Sequence, residues 1–134
     1  MNQWPTVFFT FKDVEGLNFQ DAYGMLTALV AFLFQQYDFL LTSEQVNEYD
    51  RAAFYRIVNQ KASLTEIKTS FLLLTRMLHA HYGKTVILLM DEYDVPVAKA
   101  SSNGYYQEML NVVKAIMSTA LKDNPSLKFA VITG

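Results

Sequence analysis

Five apolar residues, Val86, Ile87, Leu88, Leu89 and Met90, run without interruption into Asp91 and Glu92. A strand that alternates apolar and polar residues has one wet face, whereas a strand with no alternation expects apolar cover on both. A parallel sheet with its connections packed on its faces supplies that cover. Residues 86–90 therefore read as the middle strand of a parallel sheet, buried on both faces, with two carboxylates at its carboxyl end.

The rest of the chain supplies neighbours for that strand. Residues 6–11 form a short β-branched and aromatic run, which reads as a strand, and residues 12–17 form a loop. Asn18 can cap a helix that runs to about residue 37, with Asp21 in its first turn, where the dipole favours an anion. Ala22, Met25, Leu26, Leu29, Val30 and Leu33 recur on it at core-facing spacing. Thr42 or Ser43 is expected to start a second, more polar helix ending near residue 59. Ser63 and Glu66 have the spacing of a capping box and open a third, with Leu64, Ile67, Phe71, Leu74 and Leu78 inward and Gly83 just past its end.

Asn103 is expected to cap a fourth helix running through Lys122, with Met109, Val112, Val113, Ile116, Met117 and Ala120 inward. Asp123, Asn124 and Pro125 end it, and residues 127–133 read as a last buried strand. The order strand, helices, strand, helix, strand, joined by right-handed crossovers, predicts an α/β fold with a three-layer parallel sheet. About three strands are few for such a sheet, so the domain is expected to be incomplete.

Composition removes several function classes. The chain is 134 residues long, 51% hydrophobic and 18% charged, which excludes a disordered polar tail. The net charge of −2 comes from scattered residues, leaving no basic stripe for nucleic acid. Cysteine is absent, excluding disulfides and thiolate metal sites. The longest mostly apolar stretch, residues 25–34, is far shorter than the roughly 20 residues a membrane helix needs. Residues 1–5 lack the basic and apolar regions of a secretion signal, so the expected location is the cytoplasm.

Ligands of open parallel sheets bind beyond the carboxyl ends of the strands. In a phosphoryl-transfer site, the first acid after the apolar run, Asp91, can hold Mg²⁺ through retained waters. The second, Glu92, can orient or deprotonate the attacking water. This apolar run followed by Asp-Glu is the Walker B pattern. About forty residues on, Thr133 ends the last strand, where its hydroxyl could touch the water or the terminal phosphate.

The matching phosphate-binding loop, Gly-x-x-x-x-Gly-Lys-Ser/Thr between a strand and a helix, does not occur among the 134 residues. Gly83, Lys84 and Thr85 imitate its last part, but Leu78 stands where the first glycine belongs, and the tripeptide leaves a helix and enters a strand. His79 and His81, two residues apart on a helix, cannot share a metal as an i, i+4 pair could. Tyr105 and Tyr106 read as packing and surface residues. A Mg²⁺-dependent phosphoesterase built on Asp91, Glu92 and Asp94 needs a further acid or lysine that the sequence does not name.

Residues 86–96, the apolar strand followed by Asp91, Glu92, Tyr93, Asp94, Val95 and Pro96, resemble the AAA-ATPase-like family of bacterial proteins, in which such a strand ends in Asp-Glu-Tyr-Asp-x-Pro. Gly104, Tyr105 and Tyr106 before a helix, then residues 121–125 and 129–134, are similar to the same family's next stretch. The resemblance implies a P-loop ATPase of the additional-strand type. In it Asp91 would be the Mg²⁺ acid, Glu92 the catalytic acid and Thr133 the nucleotide sensor, with Mg²⁺ and ATP bound by the complete domain. The phosphate loop of that family should lie before Thr6, so the chain is expected to be a truncated domain, inactive alone and binding neither ligand tightly. The partners this reading leaves open are the missing segment or a homo-oligomer, beside ATP for the full domain. The alternative is a non-catalytic module that pairs through an exposed sheet edge.

Overall fold

The structure, a computed structural model, describes residues 3–134. Met1 and Asn2, the start of the segment read above for a leader, lie outside the described residues. Three strands, β1 (Thr6–Thr10), β2 (Val86–Asp91) and β3 (Leu127–Ile132), form one parallel sheet in the order β1-β2-β3. Between β1 and β2 lie α1 (Phe19–Gln35), a 3-10 turn (Asp38–Thr42), α2 (Glu48–Val58), α3 (Leu64–Lys68) and α4 (Ser70–Tyr82). Between β2 and β3 lie α5 (Val95–Asn103) and α6 (Tyr106–Leu121). The α/β class and the central place of residues 86–90 are as expected.

Where the start and stop chemistry is local, the elements form as the sequence reads. The Asn18 side chain accepts the Asp21 N–H at 2.8 Å and opens α1. The capping box closes on both sides, with the Glu66 N–H donating to Ser63 Oγ at 3.1 Å and the Ser63 N–H donating to Glu66 Oε1 at 3.0 Å. Gly83 ends α4 at φ +68°, a left-handed cap that a side chain would strain.

Three helix expectations are corrected. No helix starts at Thr42 or Ser43, because the Ser43 hydroxyl is buried in a 2.7 Å hydrogen bond with His81 Nδ1. Asn47 caps α2 instead, accepting the Asp50 N–H at 2.8 Å. The third helix breaks at Thr69, whose hydroxyl bonds back to the Thr65 carbonyl at 3.0 Å. Asn103 caps nothing. It is the last residue of α5, its amide donates to the Lys99 carbonyl, and Gly104 at φ +82° separates α5 from α6. Pro96 hid α5 from the sequence reading, because proline suits a first helical turn as well as a loop.

The number of layers is also corrected. When strand order advances in one direction and crossovers are right-handed, every connection lands on the same face. Val7, Phe9, Val86, Leu88 and Met90 are buried on that face, against α4 and α6. On the other face Phe8 is 55%, Phe129 48% and Val131 47% exposed, and Ile87 and Leu89 are half-buried. Two layers rather than three are present among the described residues, and β2 and β3 are covered on one face only. Within α1, Met25 stands out in solvent rather than in the core.

Arg56 reinforces the capping box, reaching Glu66 Oε2 at 2.6 Å through Nη2 and 2.9 Å through Nε. The hydrogen bond from Arg56 holds the Glu66 carboxyl below the usual range, against a smaller opposing effect of burial. A carboxyl with a lowered folded pKa stabilises the fold above its unfolded value and loses that contribution as pH falls through the folded one. Glu66→Gln keeps the size and one capping acceptor and removes the charge. Its expected cost is below about 1 kcal/mol at pH 7, and the cost should shrink as pH falls below the unfolded carboxyl value and through the lowered folded one, which urea unfolding across an acid pH series measures.

Candidate functional site

β2 delivers Asp91 to the carboxyl edge of the sheet with a neighbour on each side. Thr10 is its register partner in β1, and the Asp91 carbonyl accepts the Phe11 N–H at 3.0 Å. Beyond β3, the Thr133 N–H donates to the Met90 carbonyl at 3.0 Å, and the Tyr93 N–H donates to the Thr133 carbonyl at 3.3 Å. The backbone on both sides of Asp91 is thereby tied to the end of β3. The same pairing carries the side-chain contact, in which Thr133 Oγ1 donates to Asp91 Oδ1 at 2.6 Å. Thus the structure brings together two of the three site residues read from the sequence, although 42 positions separate them.

Glu92, the third, is half-buried beside them and makes no side-chain hydrogen bond with the described residues. Its backbone is left-handed at φ +58°, and its carbonyl accepts the Val95 N–H at 3.2 Å, closing the turn into α5. A left-handed conformation suits glycine and is strained for a side chain such as glutamate. Strain of this kind persists where the surroundings impose it, and it recurs at functional sites.

Asp94 starts α5 and lies against the end of β3, where a Cβ added to Gly134 would sit 3.3 Å from its Oδ2. Asp91, Glu92 and Asp94 nonetheless do not converge, and no cluster of three metal-ligating side chains occurs among the described residues. Nor does any Lys or Arg form an ion pair with these acids among the described residues. The edge is therefore negative, rich in hard oxygen donors and open to a cation that keeps most of its water.

The loop after β1 forms the third wall. Gly16 packs so closely on the start of α1 that a Cβ there would lie 2.6 Å from the Ala22 nitrogen. Tyr105 Oη donates to the Gly16 carbonyl at 2.8 Å, and Lys99 Nζ pairs with Glu15 Oε1 at 3.1 Å. Tyr105 packs, as its sequence reading proposes, and it also ties α6 to this loop. A buried tyrosine hydroxyl needs a partner. Here the partner is a backbone carbonyl, which no residue spacing announces.

The remaining motifs lie elsewhere. Lys84, from the false phosphate-loop tripeptide, sits before β2, at the opposite end of the sheet, where its Nζ lies 5.9 Å from the Trp4 ring. His79 Nδ1 meets Ser126 Oγ at 3.1 Å while His81 meets Ser43, so the histidines share no site. A cavity of about 960 Å³ opens between α5, α6 and Ile132. Tyr93 and Asp94 reach its border, while Asp91 and Glu92 do not line it.

No helix among the described residues is long and apolar enough to cross a membrane. No curated protein and no solved structure matches the chain. A family model described as predicted AAA-ATPase, AAA-ATPase-like, matches residues 1–134. The strand ending in Asp91 and Glu92, with Thr133 bonded to the first acid, is thus found in a chain that belongs to the AAA-ATPase-like family.

Proposed function

We propose that this chain carries the acid edge of an ATP-hydrolysing domain of the additional-strand P-loop type and does not turn over ATP by itself. The observation that carries this reading is the 2.6 Å bond between Thr133 and Asp91, which joins the ends of two adjacent parallel strands. Asp91 keeps Oδ2 free of side-chain hydrogen bonds with the described residues, so it can accept from a water of hydrated Mg²⁺ while Thr133 orients Oδ1. Glu92 is the acid that orients or deprotonates the attacking water, and the Thr133 hydroxyl is the sensor that reports the phosphate to Asp91. Mg²⁺ supplies charge neutralisation when bound. The phosphate grip is the missing part, since no Gly-x-x-x-x-Gly-Lys-Ser/Thr occurs in the chain. The chain is read as a truncated domain on that ground, bacterial as its resemblance implies, and cytoplasmic as its lack of cysteine suggests.

A second reading, a non-catalytic interaction module, is favoured by one observation. Among the described residues β3 pairs with β2 alone, and Phe129 and Val131 are half-exposed beside its bare edge.

Calorimetry with Mg-ATP tests the missing phosphate grip, and Mg²⁺ alone distinguishes the acid edge from the interaction module. The wild-type chain is expected to give no binding heat at millimolar Mg-ATP. Heat that disappears in Asp91→Ala would mean that a nucleotide site forms without a phosphate loop. Mg²⁺ alone at millimolar concentration should shift the Asp91, Glu92 and Thr133 amide resonances, and Asp91→Asn should remove the shifts. Unmoved resonances would exclude Asp91 as the metal acid.

The strain at Glu92 gives an independent check. Glu92→Gly is expected to stabilise the chain by roughly 1 kcal/mol in urea unfolding, and Glu92→Val to destabilise it by a similar amount. A glycine variant less stable than wild type would remove the argument that stability is sacrificed there for function.

A further inference from the structure

The amino end of the sheet, opposite the acid edge, holds a second cavity, of about 440 Å³. That volume lies within the roughly 300–1,000 Å³ of small-molecule sites. The rings of Trp4, Tyr37 and Tyr82 line it, from the segment before β1, the segment after α1 and the last residue of α4. Trp4 is 39% and Tyr82 51% exposed, so both rings are open to a ligand. These walls are held from behind. Phe39 stands 6.2 Å from the Tyr37 ring and 6.1 Å from the Tyr82 ring, and His81 stands 4.8 Å from Tyr82, all edge-on. Thr6 Oγ1 donates to the Trp4 carbonyl at 3.1 Å, and the Ile87 N–H donates to the neighbouring Pro5 carbonyl at 2.9 Å.

The charge of the cavity is positive. Lys84 lines it and gives one N–H to the Gln3 carbonyl at 3.4 Å, and an ammonium has three to give. No Asp or Glu lines the cavity, Asp38 beside Tyr37 included, and Lys84 forms no ion pair among the described residues. A second ammonium, Lys128 Nζ, lies 4.0 Å from the centre of the Trp4 ring. Tyr37 Oη donates to the Thr6 carbonyl at 3.3 Å, whereas Tyr82 Oη makes no hydrogen bond with the described residues. Burial, with Tyr82 close by, raises the Tyr37 hydroxyl above its ordinary range, so it stays neutral and brings no anion of its own.

We infer that this cavity binds a small aromatic carboxylate. The carboxylate takes the free N–H groups of Lys84 and the Tyr82 hydroxyl, and such charge-assisted bonds are the strong ones. The ring lies against Trp4 and the two tyrosines. Three aromatic rings without a lysine would suit a quaternary ammonium ligand. Lys84 Nζ, 5.9 Å from the Trp4 ring, fills that role with its own charge, so the sign selects an anion. One ammonium and one hydroxyl match a single carboxylate. They do not wrap a chain of phosphates, which takes a run of backbone N–H groups at a helix start. The site is also separate from the acid edge, since Trp4 and Lys84 precede the strands that end there.

The chain has one tryptophan, so its indole N–H gives a single resonance that reports on this cavity. Phenylacetate is expected to shift it saturably, with a millimolar or tighter Kd. Phenylacetamide keeps the shape without the charge, and acetate keeps the charge without the ring. Each should bind about tenfold more weakly than phenylacetate, or worse. Lys84→Gln should weaken phenylacetate by about tenfold and Tyr82→Phe by about threefold, with circular dichroism verifying that each variant folds. An indole resonance that phenylacetate leaves unmoved overturns the inference. So does phenylacetamide binding equally well, which would leave only an apolar hollow, or acetate binding equally well, which would leave an adventitious ion only. Undiminished binding in Lys84→Gln overturns it too, as does adenosine monophosphate binding as tightly as phenylacetate, which would make the site one for nucleotides.

Discussion

The double pairing of β2 is the constraint on which the structure depends. Among the described strands only β2 has a hydrogen-bonded neighbour on each side, so its register sets the positions of both others. Its five apolar side chains make it a strand that only a covered or paired setting will hold. Thr10, Asp91 and Thr133 come level at the carboxyl edge because three parallel strands end together. The hydroxyl of Thr133 finds Asp91 at 2.6 Å as a consequence of that register. A slip of one residue would put Met90 where Asp91 stands and turn every side chain of β2 to the other face.

Legibility in the sequence followed the range of the chemistry. Asn18, the Ser63–Glu66 box and Gly83 act on backbone groups within a turn, and all three lie where their spacing puts them. Ser43 and Asn103 have the same local credentials and fail as caps. Ser43 is bonded to His81, which is 38 residues away, and Asn103 belongs to a helix whose start Pro96 disguised. The acid edge was legible because apolar runs ending in acids mark strand ends. The Asp91–Thr133 bond requires the adjacency of β2 and β3, which is tertiary information. The left-handed turn at Glu92 was illegible for the opposite reason, since the residue that best tolerates it, glycine, is absent from the position. The apolar run at 86–90 reads as a strand covered on two faces. What it could not tell is that the described residues supply cover for only one.

That shortfall joins the fold to the function. β3 carries Thr133 at its end and bears the free edge along its length, where strand alternation leaves the N–H and C=O groups of Ala130 and Ile132 unpaired. Phe129 and Val131 present apolar area on the open face, and Ile132 lines the α5–α6 cavity on the other. Burying such area favours association, and satisfying edge groups adds direction. Any segment that pairs with β3 or fills that cavity must therefore act on the strand that holds Thr133 against Asp91. Thr133 bonds Met90 through its N–H, Tyr93 through its carbonyl and Asp91 through its side chain, so displacement of β3 acts on the backbone flanking Asp91 and on its carboxylate together. The open side of the sheet and the acid edge are thus joined through the hydrogen bonds of Thr133.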